Sequence, residues 1–381
     1  MIYYGKQSVN ESDIEAVISV LRSDFLTQGP KIEQFEQRVA EYCGAKYAVA
    51  VTNATSALHI ACKAAGLSHG DTLWTSPITF VASANCGRYC GAKVNFVDID
   101  DNTYDMSADE LEKKLAAGSS PKIVVPVHLC GQSCDMEKIN ALAKKYGFAV
   151  IEDASHALGA TYKDTRIGSC TFSDMTVFSF HPVKIITTGE GGMVLTNNKA
   201  LYEKLTLYRS HGITRNPEKM TKPSDGPWYY QQIELGYNYR MTDIQAALGW
   251  SQMDRLDAFV ARRRQLAQRY DELLAALPLR TPKQNPDTNS SWHIYVVRMD
   301  KNHTKKSKQQ IFEEMKARGV QLNLHYIPVH LQPYYQALGF KAGDFPVSER
   351  YYEEAFTLPL YYNLTDAQQD EIVSALKEVL S

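Results

Sequence analysis

The chain has 381 residues, 44% hydrophobic and 22% charged, with a net charge of −2. That length buries a large core and points to two domains, and the balance is that of an ordinary globular protein. It offers no global basic field to nucleic acid, and no run reaches the ~18 apolar residues of a membrane span.

The seven cysteines are scattered and odd in number, which reads as reduced thiols in a cytoplasmic protein. His128, Cys130 and Cys134 lie close together without a second cluster to complete a zinc site, so no metal is expected. Residues 12–21 read as a helix with Ser12 as N-cap, Glu15 completing a capping box, and Ile14, Val17, Ile18 and Leu21 on the apolar face. The polar turn DFLTQGP, 24–30, precedes a second amphipathic helix from Ile32 to Tyr42, stopped at Gly44.

From there short strands alternate with helices. The predicted strands are 48–51, 73–74, 94–97, 123–127 and 149–151, the last running into Glu152 and Asp153. The helices between them are 55–65, 80–89, 107–115 and 136–146. This alternation argues an α/β fold with a mostly parallel sheet between helices. Ligands of such sheets bind at the carboxyl ends of the strands, which singles out residues 52–56, 76–80, His128 and 153–156. A helix at 201–208 and a proline-bearing loop at 216–228 follow. A long helix spans 242–277, and a connector at 281–291 leads to a smaller α/β unit. That unit is read as a strand at 294–299, a helix at 309–318, a strand at 320–324 and a closing helix at 366–380. The division expected is a large domain, 1–250, and a small C-terminal domain, 251–381, joined by the long helix.

The most informative stretch is TVFSFHPVKIITTGEGGMVLT, residues 176–196. Two strand-like runs bracket a turn holding Lys184 and the glycines 189, 191 and 192. A lysine among apolar and hydroxyl neighbours is desolvated, and desolvation favours the neutral amine that attacks aldehydes. Alone, the same lysine fits a surface loop equally well. Asp153, at a strand end, suits a metal, a ribose, a protonated ring nitrogen or a helix cap. His156 could face the same ligand or simply pack. Asn53-Ala54-Thr55-Ser56 opens a helix after a strand, where free amides and the helix dipole make an anion site. Neither a phosphate-binding GxxxxGK[ST] nor a GxGxxG is present. Taken together, an anion cradle, the aromatic Phe80, Asp153 with His156, and Lys184 are the parts needed to hold pyridoxal phosphate.

The chain resembles the sugar-nucleotide aminotransferases of the DegT/DnrJ/EryC1/StrS family. The resemblance is carried by LTQGPKIEQFE, TNATSALHIA, SPITFVASAN, IEDASHALGA, FSFHPVKIITTGEGG, RSHG, LGYNYRMTDIQAALG and LHYIPVHLQP, in family order over residues 26–334. Within the family, DASHALG, SFHPVK and GYNYR are most similar to the transaminases of pseudaminic acid biosynthesis.

The resemblance implies a fold type I pyridoxal-phosphate enzyme whose first 30 residues reach the active site. Lys184 would carry the cofactor and shuttle protons. Asp153 would pair with the ring nitrogen, His156 would stand near the phenolic oxygen, and Phe80 would stack on the ring. Ala54, Thr55 and Ser179 would hold the phosphate. Asn238 would reach the phosphate of a partner subunit in a homodimer. Tyr4, Asp24, Phe25, Leu26, Thr27, Asn323, Leu324, His325 and Tyr326 would line the sugar-nucleotide site. Arg240 would receive the carboxylate of the amino donor, glutamate, or serve structure alone. The implied reaction converts a UDP-linked 4-keto-6-deoxy sugar to its 4-amino product. Enzymes of the 4-amino-arabinose, bacillosamine and perosamine type remain alternatives, as does a non-catalytic sensor on the same fold. Related sugar 3-dehydratases carry histidine in place of the lysine, and Lys184 argues against that chemistry.

Overall fold

The computed structural model describes residues 1–380. Helix α1 (Glu11–Leu21) is capped by Asn10 rather than Ser12. Asn10 has the extended backbone a cap needs. Its side chain accepts from the Asp13 amide at 3.1 Å, and the Asp13 carboxylate accepts from the Asn10 amide at 3.0 Å. Asp13 is buried and also pairs with Arg255, which ties the amino-terminal helix to the main body. Helix α2 (Pro30–Cys43) starts on proline and ends at Gly44, whose φ of 79° is a left-handed cap.

The alternating region follows: β1 (Tyr47–Val51), α3 (Ala54–Ala64), β2 (Thr72–Thr75), α4 (Ala82–Tyr89), β3 (Lys93–Phe96), α5 (Ala108–Ala116), β4 (Ile123–Val125), α6 (Met136–Tyr146) and β5 (Ala149–Asp153). A small hairpin, β6 (Thr161–Tyr162) and β7 (Thr165–Arg166), precedes β8 (Met175–Ser179), β9 (Gly192–Thr196) and α7 (Lys199–Arg209). The central sheet has seven strands in the order β1-β9-β8-β5-β4-β2-β3. Strand β9 alone runs against its two neighbours, and every other adjacent pair is parallel. Side chains alternate between two layers: Val124 and Val150 face a core shared with α2, α5 and α6, while Ile123, Val125 and Ile151 face one shared with α3, α4 and α7.

Strand β1 is an edge, and its outer polar groups are satisfied by side chains. Glu36 accepts from the Ala50 amide at 2.7 Å, Arg209 donates to the Ala50 carbonyl at 2.9 Å, and the two side chains pair with each other. Just beyond, the Thr52 amide donates to the Tyr239 carbonyl at 2.9 Å. This fastens residues 238–240 beside the start of α3.

After β10 (Ile213–Thr214) and β11 (Gln231–Gln232), the predicted long helix is two helices, α8 (Asp243–Gln252) and α9 (Leu256–Leu274), parted by one tight turn at Met253–Arg255. Leu256, Phe259 and Val260 of α9 belong to the first core, and Leu266, Ala267, Tyr270 and Leu274 to another. That other core gathers around an antiparallel three-stranded sheet of β12 (Leu279–Arg280), β14 (Tyr295–Met299) and β15 (Ala355–Leu358); β13 (Thr288–Asn289) pairs with the hairpin instead. It is covered by α10 (Lys308–Ala317) and the closing helix Asp366–Leu380. Residues 320–324 do not form the predicted strand: Val320 bridges only Ile2, and Asn323 only Thr357. Ile2 lies in this C-terminal core, so the chain's first residues cross over to it. Among the described residues no helix is long and apolar enough to cross a membrane.

At Gly192, where β9 begins, a Cβ would lie 2.5 Å from both the Asn53 carbonyl carbon and oxygen and 2.6 Å from the Ala54 nitrogen. Backbone cannot yield as a flexible side chain can. The substitution Gly192→Ala should therefore destabilise the protein by about 1–3 kcal/mol, the usual range for overpacking. Urea unfolding checks this, and an unchanged midpoint would contradict the close approach.

Candidate active site

A cavity of about 810 Å³ opens at the carboxyl ends of the parallel strands. Tyr4, Ala54, Thr55, Phe80, Asp153, His156, Ser179, Lys184, Asn323, Leu324, His325 and Tyr326 all line it. The strand order explains the convergence. Strand β8 delivers Ser179 and pairs with β5, which delivers Asp153; β9 and β1 bring the start of α3 alongside. Residues 181–190, connecting β8 to β9, place Lys184 in the wall.

The Lys184 backbone amide donates to the His181 carbonyl at 2.9 Å, while its side-chain amine makes no hydrogen bond to protein among the described residues. Burial pushes its amine down to about 8, with the negative charge of Asp153 offsetting part of that fall. A substantial share of this amine is thus neutral near physiological pH. Asp153 is buried. Its Oδ2 accepts from the Ser83 hydroxyl at 2.6 Å and its Oδ1 from the Ser155 amide at 3.1 Å.

At the start of α3 the Asn53 side chain accepts from the Ser56 amide at 2.9 Å. The amides of Ala54 and Thr55, on the first turn, have no protein acceptor among the described residues. With the Thr55 and Ser179 hydroxyls, both in the cavity wall, they form a cradle for an anion.

The opposite wall is imidazole and phenol. His156 Nε2 lies 3.2 Å from the Tyr326 hydroxyl, while its buried Nδ1 has no partner. The His293 ring packs against it at 4.4 Å between centroids. Burial, reinforced by the Lys184 charge, holds His156 well below the ordinary histidine range and His325 down to about 3. Burial, with His156 and Lys184 next in order, does the same for His293. These three imidazoles are neutral at pH 7. His325 Nδ1 is held 2.8 Å from the Thr357 hydroxyl. Phe80 is 57% exposed, and its exposed face is part of the cavity wall. It stands in the turn before α4 rather than inside that helix, as the sequence had it.

Six expected residues lie outside this chain's cavity. Asp24, Phe25, Leu26 and Thr27 form an exposed turn beside the start of α8, with the Leu26 carbonyl accepting from the Asp243 amide at 3.0 Å. Asn238 is exposed, and Arg240 is half-buried beside Val51. The side chains of both are without a hydrogen-bond or ion-pair partner among the described residues. Sequence reasoning missed Ser83, His293, Tyr239 and Glu190. Ser83 follows Thr79 at helical spacing, a signal that was available. His293 arrives from the connector before β14, far along the chain from everything it touches, and nothing local marks it.

The DegT/DnrJ/EryC1/StrS aminotransferase family matches residues 7–377. The spore coat polysaccharide biosynthesis protein SpsC of Bacillus subtilis is 39% identical over 99% of this chain and 96% of its own length. A UDP-4-amino-4,6-dideoxy-N-acetyl-beta-L-altrosamine transaminase of Campylobacter jejuni is 37% identical over 100% and 98%. Among solved structures, Helicobacter pylori PseC, an aminotransferase involved in the biosynthesis of pseudoaminic acid, superimposes with a TM-score of 0.91 at 30% identity, covering 100% of this chain and 99% of that one. A Streptococcus pneumoniae chain described as a sugar aminotransferase, in its PLP form, gives 0.89 at 29% identity over 99% of each chain.

Pyridoxal phosphate carries an aldehyde, a phosphate and a basic ring nitrogen. The cavity answers each with a group that protein leaves open: the unbonded Lys184 amine, the free Ala54 and Thr55 amides, and the Asp153 carboxylate. This chain belongs to the DegT/DnrJ/EryC1/StrS aminotransferase family and is a pyridoxal-phosphate-dependent sugar aminotransferase.

Proposed function

We propose that the enzyme transfers the amino group of glutamate to C4 of a UDP-linked 4-keto-6-deoxy sugar. On this reading its substrate is UDP-2-acetamido-2,6-dideoxy-β-L-arabino-hexos-4-ulose and its product UDP-4-amino-4,6-dideoxy-N-acetyl-β-L-altrosamine. The observation that carries the chemistry is the Lys184 amine, lowered to about 8 within one cavity that also holds Asp153 and the start of α3. The choice of sugar rests on the Campylobacter jejuni transaminase, 37% identical end to end, and on the likeness to Helicobacter pylori PseC.

When bound, pyridoxal phosphate supplies an electron sink for the bonding pair released as a C–H bond breaks. Lys184 holds the cofactor, then as a free amine takes the α-proton of the amino donor and returns a proton at C4 of the sugar in the second half-reaction. Asp153 would keep the ring nitrogen protonated by ion pairing. The Ala54 and Thr55 amides and the Thr55 and Ser179 hydroxyls would hold the phosphate. Phe80 would cover one face of the ring. His156, neutral and bonded to Tyr326, would stand by the phenolic oxygen. Tyr4 and residues 323–326 take the sugar end.

The active unit on this reading is a homodimer. Lys184 is the only lysine or arginine among the residues lining this chain's cavity, and a nucleotide diphosphate needs more positive charge than that. Asn238, Arg240 and the turn 24–27 lie outside the cavity, free to serve a partner's. Asn238 would reach the partner's phosphate, and Arg240 would take the donor carboxylate.

Three measurements test these statements. Apo-protein should take up pyridoxal phosphate faster as pH rises, because only the neutral amine attacks an aldehyde. With Lys184 at about 8, the rate should level off above about pH 9. A rise continuing to 10.5, the ordinary lysine value, would contradict the lowered amine. Mixed and re-formed Lys184→Ala and Asn238→Ala proteins should regain activity that neither has alone, since one of the two shared sites is then intact. Absence of any recovery in verified hybrids would sink the shared site. A panel of UDP-, dTDP- and GDP-linked 4-keto-6-deoxy sugars, with product stereochemistry read by NMR, should favour the UDP substrate. Preference for a dTDP or GDP sugar would remove the substrate assignment and leave the aminotransferase.

A further inference from the structure

Beside Asp153 lies a short run of hydroxyls, one of them, Thr79, in the cavity wall. Thr79 Oγ1 and Ser83 Oγ are 2.7 Å apart, and Ser83 Oγ is 2.6 Å from Asp153 Oδ2. All three residues are buried, Ser83 completely. A carboxylate oxygen can only accept, so Ser83 donates its single proton to Asp153. The Thr79 hydroxyl has no other acceptor among the described residues, so its proton goes to Ser83. The one competing acceptor for Ser83, the Phe80 carbonyl, is 3.4 Å away and weak. Each proton is used once, and the chain is polarised toward the carboxylate.

The far oxygen is held as well, by the Ser155 amide at 3.1 Å. Two donors on opposite oxygens stop the carboxylate from rotating about its own bond. They also leave each oxygen a further lone pair for a group in the cavity that Asp153 lines. The hydroxyl donor comes from the same turn that carries Phe80, because the Ser83 amide donates to the Phe80 carbonyl at 3.2 Å. One local structure therefore sets both the aromatic wall and the orientation of the acid.

We propose that Ser83, backed by Thr79, is a positioning residue for the aminotransferase reaction: it fixes the Asp153 carboxylate in the orientation that keeps the cofactor's ring nitrogen protonated. This rests on Asp153 being the ring-nitrogen partner. Ser83 acts through Asp153 and touches no reacting atom.

The test uses holoenzyme reconstituted with pyridoxal phosphate labelled with ¹⁵N in the ring, followed by NMR, alongside kcat and KM. The wild type should give the signal of a protonated ring nitrogen. Ser83→Ala should move that signal toward the unprotonated form. It should also lower kcat about ten- to hundredfold, the loss expected for one hydrogen bond to a charged group. The amino donor's KM should stay within about twofold, because ground-state binding is untouched. Ser83→Thr, which restores the hydroxyl, should recover both readouts. Thr79→Val should fall between them, and it serves as the test if Ser83→Ala does not fold. A Ser83→Ala protein that is merely less heat-stable, with unchanged signal and kcat, would overturn the proposal while the protonated wild-type signal left the role of Asp153 standing. An unprotonated ring in the wild type would overturn both.

Discussion

A primary amine partly withdrawn from bulk water is the constraint that organises this protein. Water stabilises an ammonium ion far better than a protein cavity does, so burial favours the neutral form. In this chain the effect brings Lys184 to about 8, even with the Asp153 carboxylate pulling the other way. The fold achieves the burial by bringing Lys184 in on the connection between β8 and β9, the single reversed strand of the sheet. That reversal needs β9 to begin almost in contact with the start of α3, and only a residue without a side chain fits there. The nucleophile and the anion cradle are thus set by one packing decision at Gly192.

The electrostatics of the cavity follow from the same exclusion of water. Three imidazoles that would titrate near neutrality in solution are held uncharged, and Tyr326 is held as a phenol by burial. These neutral groups offer polarity without charge, which leaves the Lys184 amine facing the Asp153 and Glu190 carboxylates as the charged groups of the cavity wall. Such a site suits a cofactor with an aldehyde at one end and a basic nitrogen at the other. It is poorly equipped, within one chain, for the diphosphate of a nucleotide. On the proposed dimer, the partner's Arg240 would make up part of that deficit.

Much of the architecture was legible because strands buried on both sides must be short continuous apolar runs, and β1, β4 and β5 are nearly that. The stop at Gly44 was readable from its glycine, and caps were left open or misread where two candidates competed, as at Asn53 and Thr55. Ser12 loses to Asn10 because Asp13 answers Asn10 while also pairing with a residue some 240 positions away. Residues 320–324 have strand-like composition, yet Asn323 turns its side chain onto the next amide and only isolated bridges form. The long helix hid its break at Met253–Arg255 because each half keeps its apolar spacing. In the site, Lys184, Asp153 and the α3 start were visible because their chemistry is local. Ser83 and His293 meet their partners, Asp153 and His156, only in the folded chain. The crossing of Ile2 into the C-terminal core is likewise a long-range event without a local mark.

The most direct measurement is where the cofactor is attached. Holoenzyme reduced with borohydride, digested and mapped by mass spectrometry should carry the reduced cofactor on the peptide containing Lys184. A tag on another lysine, or a protein that reconstitutes with pyridoxal phosphate yet yields no covalent adduct, would contradict the account from its first step.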